Sequence, residues 1–139
     1  MRFWDSSALF PLFVEESTSE RMRELAAIDN EVVVWTLTMV ELISGVWRRE
    51  PQAHAEASRA AAAHQVTKAD GEWTKVGDIR TVVAVAKNMA RRHRLRAGDT
   101  IQLSAALLAS EGDPSKLPFV TLDGELATAA RAEGFPVLP

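Results

Sequence analysis

The sequence predicts an α/β fold with three layers (α/β/α), in which helices flank a mostly parallel central sheet. Short apolar runs such as 31–35 (EVVVW) are β-branched and bounded by polar residues, which is typical of buried strands. These runs alternate with longer stretches of helical periodicity, the pattern of a parallel α/β sheet. The 139 residues are enough for one domain with a sizeable core. No repeat or linker divides the chain, so we expect a single domain over residues 1–139.

Turn signals and helix caps set the expected boundaries. Ser6 or Ser7 should cap the first helix, and Pro11 should end or bend it. Gly98 and Gly134 are the expected helix-ending glycines. The predicted strands are 1–4, 31–35, 117–123 and 135–138. The predicted helices are 6–13, 17–28, 38–50, 52–65 (after a break at Pro51), 75–94, 99–110 and 123–134, with turns at 66–73 and 111–116.

Apolar spacing predicts the inner faces of three helices. The stripes are Met22, Leu25, Ala26 and Ile28 in 17–28; Val40, Ile43 and Trp47 in 38–50; and Val76, Ile79, Val82, Val83, Ala86 and Met89 in 75–94. Trp4 and Trp35 lie in predicted strands and should be core residues. Trp47 and Trp73 are instead candidates for a dimer or partner surface.

Composition excludes several classes of protein. The chain has no cysteine, which rules out thiolate catalysis, disulfides and cysteine-based zinc sites. No apolar run approaches the roughly 20 residues that span a bilayer, and no signal peptide is evident, so we expect a cytoplasmic protein with no membrane contact. The net charge of −3 lacks the basic excess usual for nucleic-acid binding. Acids gathered in a metal site would leave the rest close to neutral, so net charge does not decide the partner.

Four carboxylates lie where predicted strands end or helices begin. Asp5 and Asp123 close two strands, and Glu41 and Asp99 lie at the starts of helices. In a parallel sheet these positions share the ligand-binding edge, where four acids repel one another unless a cation neutralises them. Oxygen ligands without nearby histidine or cysteine suit Mg²⁺ or Mn²⁺ rather than zinc. The pattern predicts a divalent-metal site.

Each acid also has a structural explanation as a helix cap, since acids and small polar residues are common at helix starts. Asp5 and Asp123 would cap the helices that follow them. Two further pairs have the spacing of a capping box. They are Thr38 with Glu41, and Asp99 with Gln102. Serine and threonine cap equally well, yet aspartate occurs at three of the four positions, so the joint pattern favours a site.

Four segments resemble, in order, the motifs of the PIN-domain family: FWDSSAL, TLTMVELISGV, AGDTIQLSAAL and VTLDGELATAARAEG. They are most similar to its small bacterial branch, the VapC-type toxins of toxin–antitoxin pairs. The most specific parts are the Asp-x-x-x-Leu-x-Ala run at 99–105 and the Thr-x-Asp motif at 121–123. The match runs from residue 1 to residue 139 with the expected order and spacing.

The resemblance implies one PIN-like nuclease domain, which is a metal-dependent endoribonuclease and the toxin of a toxin–antitoxin pair. It implies RNA as substrate, a homodimer, and an antitoxin bound beside or in the active site. The acidic tetrad that holds Mg²⁺ or Mn²⁺ would be Asp5, Glu41, Asp99 and Asp123. Ser6 and Thr121 match hydroxyl residues that support the metal or face the phosphate. Pro11 departs from the pattern, away from the acids.

A strongly basic segment, 91–96 (RRHRLR), precedes Asp99. It would form a track for RNA phosphates, or simply a helix end whose cations complement the dipole. The candidate RNA-binding residues are Arg91, Arg92, Arg94 and Arg96.

Two other functions stay open beside the ribonuclease. A Mg²⁺-binding receiver-like signalling module also gathers acids at a sheet edge, but it usually has adjacent acids after the first strand and a lysine after the last. Serines follow Asp5 here, and the ending FPVLP has no lysine. The second alternative is a PIN scaffold that binds RNA without cleaving it, against which the intact tetrad argues.

Overall fold

The computed structural model describes residues 1–29, 31–48 and 55–139, and a five-stranded sheet runs through the centre of this part of the chain. The strands are β1 (Arg2–Trp4), β2 (Val32–Trp35), β3 (Thr74–Val76), β4 (Phe119–Val120) and β5 (Val137–Leu138). Their order in the sheet is β3-β2-β1-β4-β5, and every neighbouring pair is parallel. The chain therefore starts in the middle of the sheet and builds outward in both directions.

Helices cover both faces of this sheet, which confirms the predicted three-layer α/β/α class. They are α1 (Ser6–Leu9), α2 (Ser19–Ala27), α3 (Thr38–Arg48), α4 (Ala55–Asp70), α5 (Ile79–Arg92), α6 (Ala97–Ala109) and α7 (Gly124–Ala132). As expected, the first helix is interrupted near Pro11. The helix α1 ends at Leu9, and a short 3₁₀ turn, Phe10–Leu12, follows it. Gly134, at φ +96°, follows the end of α7.

Alternation along the strands divides the buried side chains into two cores. Phe3 and Phe119 stack on one face, with ring centroids 5.2 Å apart, and pack against α5, α6 and α7. Trp4 and Val120 follow them in sequence, point to the opposite face and pack against α1 to α4. Trp4 and Trp35 are both buried, as predicted. Consecutive strand residues thus hold helices on opposite sides of the sheet.

The strand β3 is absent from the prediction, which placed the start of a helix at Lys75. Thr74 and Lys75 are exposed, and β3 lies at the edge of the sheet, so it lacks the apolar pattern of a buried strand. The helix α5 begins only at Ile79, after Asp78, whose Oδ1 accepts hydrogen bonds from the Arg80 and Thr81 N–H groups at 3.0 and 3.3 Å.

Two other predicted boundaries are wrong. The helix α4 continues to Asp70 and so covers most of the predicted turn at 66–73, because Val66 is buried in the core. Gly98 does not end a helix, since α5 stops at Arg92 and Gly98 lies in the first turn of α6. Residues 49–54, which include the predicted end of one helix, the break at Pro51 and the start of the next helix, lie outside the described residues.

The predicted inner faces are partly right. Met22, Val82 and Met89 are buried, as expected. Five other predicted residues are exposed by 41–66%: Ile28, Val40, Trp47, Ile79 and Val83. In α3 the buried residues are Thr38, Leu42 and Val46 instead. This helix carries apolar side chains around much of its circumference, so packing rather than periodicity selects the buried face. Within the described residues, no helix is long and apolar enough to cross a membrane.

Candidate active site

The four predicted acids all lie at the carboxyl edge of the sheet. Asp5 directly follows β1 and forms the N-cap of α1, and Asp123 follows β4 and forms the N-cap of α7. Glu41 and Asp99 lie in the first turns of α3 and α6. The parallel topology therefore places acids from four distant segments at one edge, where ligands bind in sheets of this kind.

Asp5 is the most buried of the four acids, at 3% exposure. Its Oδ2 accepts hydrogen bonds from the Ser7 N–H at 3.1 Å, the Thr121 hydroxyl at 3.0 Å and the Ser7 hydroxyl. Burial raises the pKa of Asp5, and the Ser7 and Thr121 hydrogen bonds oppose that increase. Asp5 is the N-cap of α1, which confirms its interpretation as a helix cap, whereas the alternative caps, Ser6 and Ser7, are the first two residues of the helix.

Ser7 holds Asp5 in place, a role that the sequence pattern did not predict. Besides Asp5, its Oγ lies 3.2 Å from the Thr121 Oγ1 and accepts a hydrogen bond from the Leu122 N–H at 3.0 Å. Ser7 therefore joins the ends of β1 and β4 beneath the carboxylate. A signal was present, because a serine two residues after an aspartate is well placed to hydrogen-bond with it in an Asx turn. Ser6, the predicted residue, is 3.5 Å from Asp5 and also hydrogen-bonds to Glu41.

Glu41 is held by a buried amide rather than by a capping box. Gln102 is 1% exposed, and its Nε2 donates to Glu41 Oε2 at 2.7 Å and to the Thr38 hydroxyl at 3.3 Å. Burial is the main cause that raises the pKa of Glu41, and the charges of Asp5 and Asp99 add to it. Hydrogen bonds from Ser6 and Gln102 act in the opposite direction. The Glu41 carboxylate is thus fixed in position, and the negative charges of Asp5 and Asp99 repel it.

Asp99 is half-buried and faces the other acids. Burial raises its pKa, the charges of Asp123 and Asp5 raise it further, and Arg96 lowers it. Arg96 is the N-cap of α6 and makes no side-chain cap. The interpretation of Asp99 and Gln102 as a capping box is therefore wrong, because Asp99 is the third helical residue and Gln102 bonds to Glu41.

Asp123 has both a structural and an electrostatic place in the site. Its Oδ1 accepts a hydrogen bond from the Leu126 N–H at 2.8 Å, which confirms that it caps α7. Its own N–H donates to the Thr121 hydroxyl at 3.1 Å, so Thr121 joins Asp5 and Asp123. The second oxygen of a capping carboxylate is left for other partners. A cap and a site residue are therefore compatible at this position.

The donor set fits one kind of cation better than others. In the part of the chain described, no three histidine, cysteine, aspartate or glutamate side chains are arranged to hold a metal ion directly. Charges at this edge nevertheless raise the pKa of Glu41 and Asp99, so an added cation would relieve repulsion. Mg²⁺ is commonly bound through one or two carboxylates and several waters. Such an ion needs few direct protein ligands, so the other acids at this edge would contact it through its waters. The residues present therefore fit a hydrated divalent ion.

The basic segment contributes unequally to this edge. Arg91, Arg92, Arg94 and Arg96 are all exposed. Arg96 lies near enough to Asp99 to lower its pKa, whereas the Arg92 guanidinium is 3.1 Å from Glu133 Oε1. Arg94 borders a groove beside α7. Of the four, Arg96 has the charge that lowers the pKa of Asp99 most clearly.

The contact between Gln102 and Glu41 can be tested by a double-mutant cycle. Gln102→Met keeps the side-chain volume but removes the donor, which should lower the free energy of unfolding by about 2 kcal/mol at neutral pH. In a Glu41→Gln background the same change should cost clearly less, because the carboxylate partner is gone. Urea denaturation of the four proteins measures both values. Equal losses in the two backgrounds would contradict the assigned contact.

Comparisons with known proteins agree with this architecture. The model of the PIN domain family matches residues 2–132. A toxin–antitoxin complex from Klebsiella pneumoniae is 16% identical, with TM-score 0.68 and coverage of 100% of this chain and 97% of that one. FitAcB from Neisseria gonorrhoeae is 15% identical, with TM-score 0.69 and the same coverage. VapC20 from Mycobacterium tuberculosis, described as a Sarcin-Ricin loop cleaving toxin, is 17% identical, with TM-score 0.68 and full coverage of both chains.

Among curated protein sequences, none matches the chain significantly. At these identities the structural likenesses establish the fold, whereas the family model covers nearly the whole sequence. The order of the strands, the acids at their carboxyl edge and the family match agree. The chain therefore belongs to the PIN-domain family, whose members are generally nucleases.

Proposed function

We propose that the chain is a Mg²⁺- or Mn²⁺-dependent endoribonuclease that acts as the toxin of a toxin–antitoxin pair. The observation that carries the proposal is the convergence of acids from four segments at one sheet edge, where their charges act on one another. Family membership supports nuclease chemistry, and the similar structures include a toxin–antitoxin complex and a Sarcin-Ricin loop cleaving toxin. A metal-dependent nuclease uses such an edge, because a cation held by the carboxylates lets a negatively charged phosphate approach them.

Each of the four acids would have its own role in binding the ion. Asp5 and Asp99 would be its ligands, directly or through water, Asp123 would ligate or orient it from the side, and Glu41 would hold a bound water or a second ion. When bound, a divalent ion activates water and stabilises charge on the phosphate. The chain's own part is to keep these carboxylates in place: Ser7 and Thr121 bond to Asp5, and Gln102 bonds to Glu41. Ser6 and Thr121 would support this arrangement or face the phosphate.

We further propose a homodimer and a cognate antitoxin as protein partners. The support is a set of large exposed apolar side chains, four of them where α3 and α5 begin. Leu37, just before α3, and Val40 in its first turn are 42% and 54% exposed, and Ile79 and Val83 in the first turns of α5 are 50% and 41% exposed. Trp47, near the other end of α3, is 46% exposed. Large exposed apolar side chains are candidates for protein–protein contacts.

The experiment that tests the nuclease is cleavage of total bacterial RNA by purified protein, with the new 5′ ends mapped by sequencing. Total RNA is the appropriate substrate because a toxin of this kind can be highly specific. We expect discrete cleavage in Mg²⁺ or Mn²⁺ and none after EDTA treatment. Cleavage that persists in EDTA would refute the metal dependence. A protein that binds RNA but never cleaves it would instead be a non-cleaving PIN scaffold.

A further inference from the structure

A groove lies between residues 93–95, which connect α5 to α6, and the exposed side of α7. Its volume is about 380 Å³, within the range of small-ligand pockets. His93, Arg94 and Leu95 form one wall, and Gly124, Thr128 and Ala132 line the other. The groove therefore combines apolar surface with a few polar groups, as binding pockets commonly do.

The groove is continuous with the acidic edge. Gly124 and Glu125 line it and directly follow Asp123 in sequence. The charge of Glu125 also acts on Asp99, since it is among the causes that raise the pKa of that residue. A side chain added at Gly124 would meet no atom within 4 Å, so the passage between groove and edge is open at this point. A strand bound at the acids would pass the mouth of the groove.

The wall of the groove is held rigidly. His93 Nε2 lies 2.6 Å from Glu133 Oε1, and Arg92 reaches the same oxygen at 3.1 Å. The side chains of Glu133 and His93 are only 7% and 16% exposed, so the contact between them is largely sheltered from water, whereas the Arg92 side chain is 59% exposed. The His93 backbone N–H also donates to the Met89 carbonyl at 2.8 Å. The Glu133 contact therefore holds the imidazole at Nε2, and the backbone bond holds the segment that carries it.

We propose that this groove binds one unstacked nucleobase of the RNA, belonging to a nucleotide next to the phosphate at the acidic edge. The proposal rests on the proposed nuclease function. Flat imidazole and guanidinium groups provide stacking surfaces for single-stranded bases, and His93 and Arg94 supply both. The Thr128 hydroxyl donates to the Gly124 carbonyl at 2.9 Å, which leaves its oxygen free to accept a hydrogen bond from a base amine. Glu125 disfavours a phosphate as the occupant, because like charges repel.

The direct test uses nucleosides and needs no nuclease activity. Metal-stripped protein labelled with ¹⁵N would be titrated with adenosine, guanosine, cytidine and uridine, and separately with inorganic phosphate, while amide resonances are followed by NMR. We expect at least one nucleoside to shift the amides of Leu95, Gly124 and Thr128, and phosphate to leave them unchanged. The proposal is overturned if no nucleoside perturbs these amides, or if phosphate alone does.

A groove-filling variant with a matched control sharpens the result. Thr128→Leu fills the groove with a side chain that offers no flat stacking surface, and it should weaken nucleoside binding by about tenfold or more, the size of one lost base-stacking contact. Arg131→Leu places the same side chain on an exposed position of α7 outside the groove and should bind like the wild type. In RNA cleavage, Thr128→Leu should keep its metal dependence but change the base preference beside the cut. Unchanged binding and unchanged preference in this variant would reject the groove as a base site.

The outcomes separate this inference from the proposed function. If the wild type cleaves RNA but nucleosides do not bind the groove, the groove proposal fails and the nuclease stands. If nucleosides bind the groove but no RNA is cleaved with any divalent metal, the nuclease fails and the base site stands. An amide shift produced by a bound protein partner but by no nucleoside would assign the groove to that partner instead.

Discussion

Replacing Asp99 by asparagine should reduce RNA cleavage by about 10³-fold and leave the fold intact. The substitution preserves the shape of the side chain and removes a charge that acts together with those of Asp123 and Asp5. Losing one group that stabilises transition-state charge commonly costs two to three orders of magnitude. Asp99 does not cap α6, so the helix should not depend on it. Initial cleavage rates in Mg²⁺, together with circular dichroism, measure the two effects.

A matched control is available in Asp113→Asn. Asp113 is an exposed aspartate whose carboxylate pairs with Lys116 at 2.8 Å, on a loop outside the four acids. This variant should cleave at the wild-type rate. Asp5→Asn and Asp123→Asn should be as inactive as Asp99→Asn, and asparagine should maintain both caps because it caps about as well as aspartate. An Asp99→Asn protein that retains most of its activity would show that this carboxylate has no role in the chemistry.

Mn²⁺ should raise the melting temperature of the wild type but not that of Asp99→Asn. A ligand that binds only the native state stabilises it, by about 2.7 kcal/mol at a concentration one hundred times the Kd. For a domain of this size that corresponds to an increase of roughly 8 °C. Thermal unfolding of metal-stripped protein, with Mn²⁺ added stepwise, measures the difference. If the two proteins melt alike and ignore the metal, the acidic edge does not bind Mn²⁺.

The same pair of proteins should differ in their response to pH without metal. The pKa of Asp99 is raised from its ordinary value of 3.8, first by burial and then by neighbouring charges. The folded state therefore holds this proton more tightly than the unfolded state, so stability is lost as pH rises through the raised pKa. Asparagine does not titrate, so metal-free Asp99→Asn should be at least as stable as the wild type at neutral pH. The difference in stability between Asp99→Asn and the wild type should disappear below pH 3.8, the ordinary pKa of the aspartate.

The fold class was accessible from sequence because buried strands carry a local signature. The segment 31–35 and the stretch before Asp5 are apolar and short, and both form central strands of the sheet. The edge strand of the sheet and the buried faces of the helices were harder to predict from sequence. Exposed Thr74 and Lys75 gave β3 no apolar pattern, and α3 offered several apolar stripes. Those choices depend on which neighbours each element meets.

The candidate site also has features that the local sequence predicts and features that depend on tertiary packing. The sequence by itself determined that Asp5, Glu41, Asp99 and Asp123 stand at strand ends and helix starts, because those positions follow from local patterns. Only the tertiary structure decided what holds them. Gln102 reaches Glu41 across 61 positions of sequence, and Thr121 reaches Asp5 across 116, through hydrogen bonds that exist only once the parallel sheet has formed. The positions of strands and helices depend mainly on neighbouring residues. Contacts between buried side chains of distant segments form only when the whole core has packed.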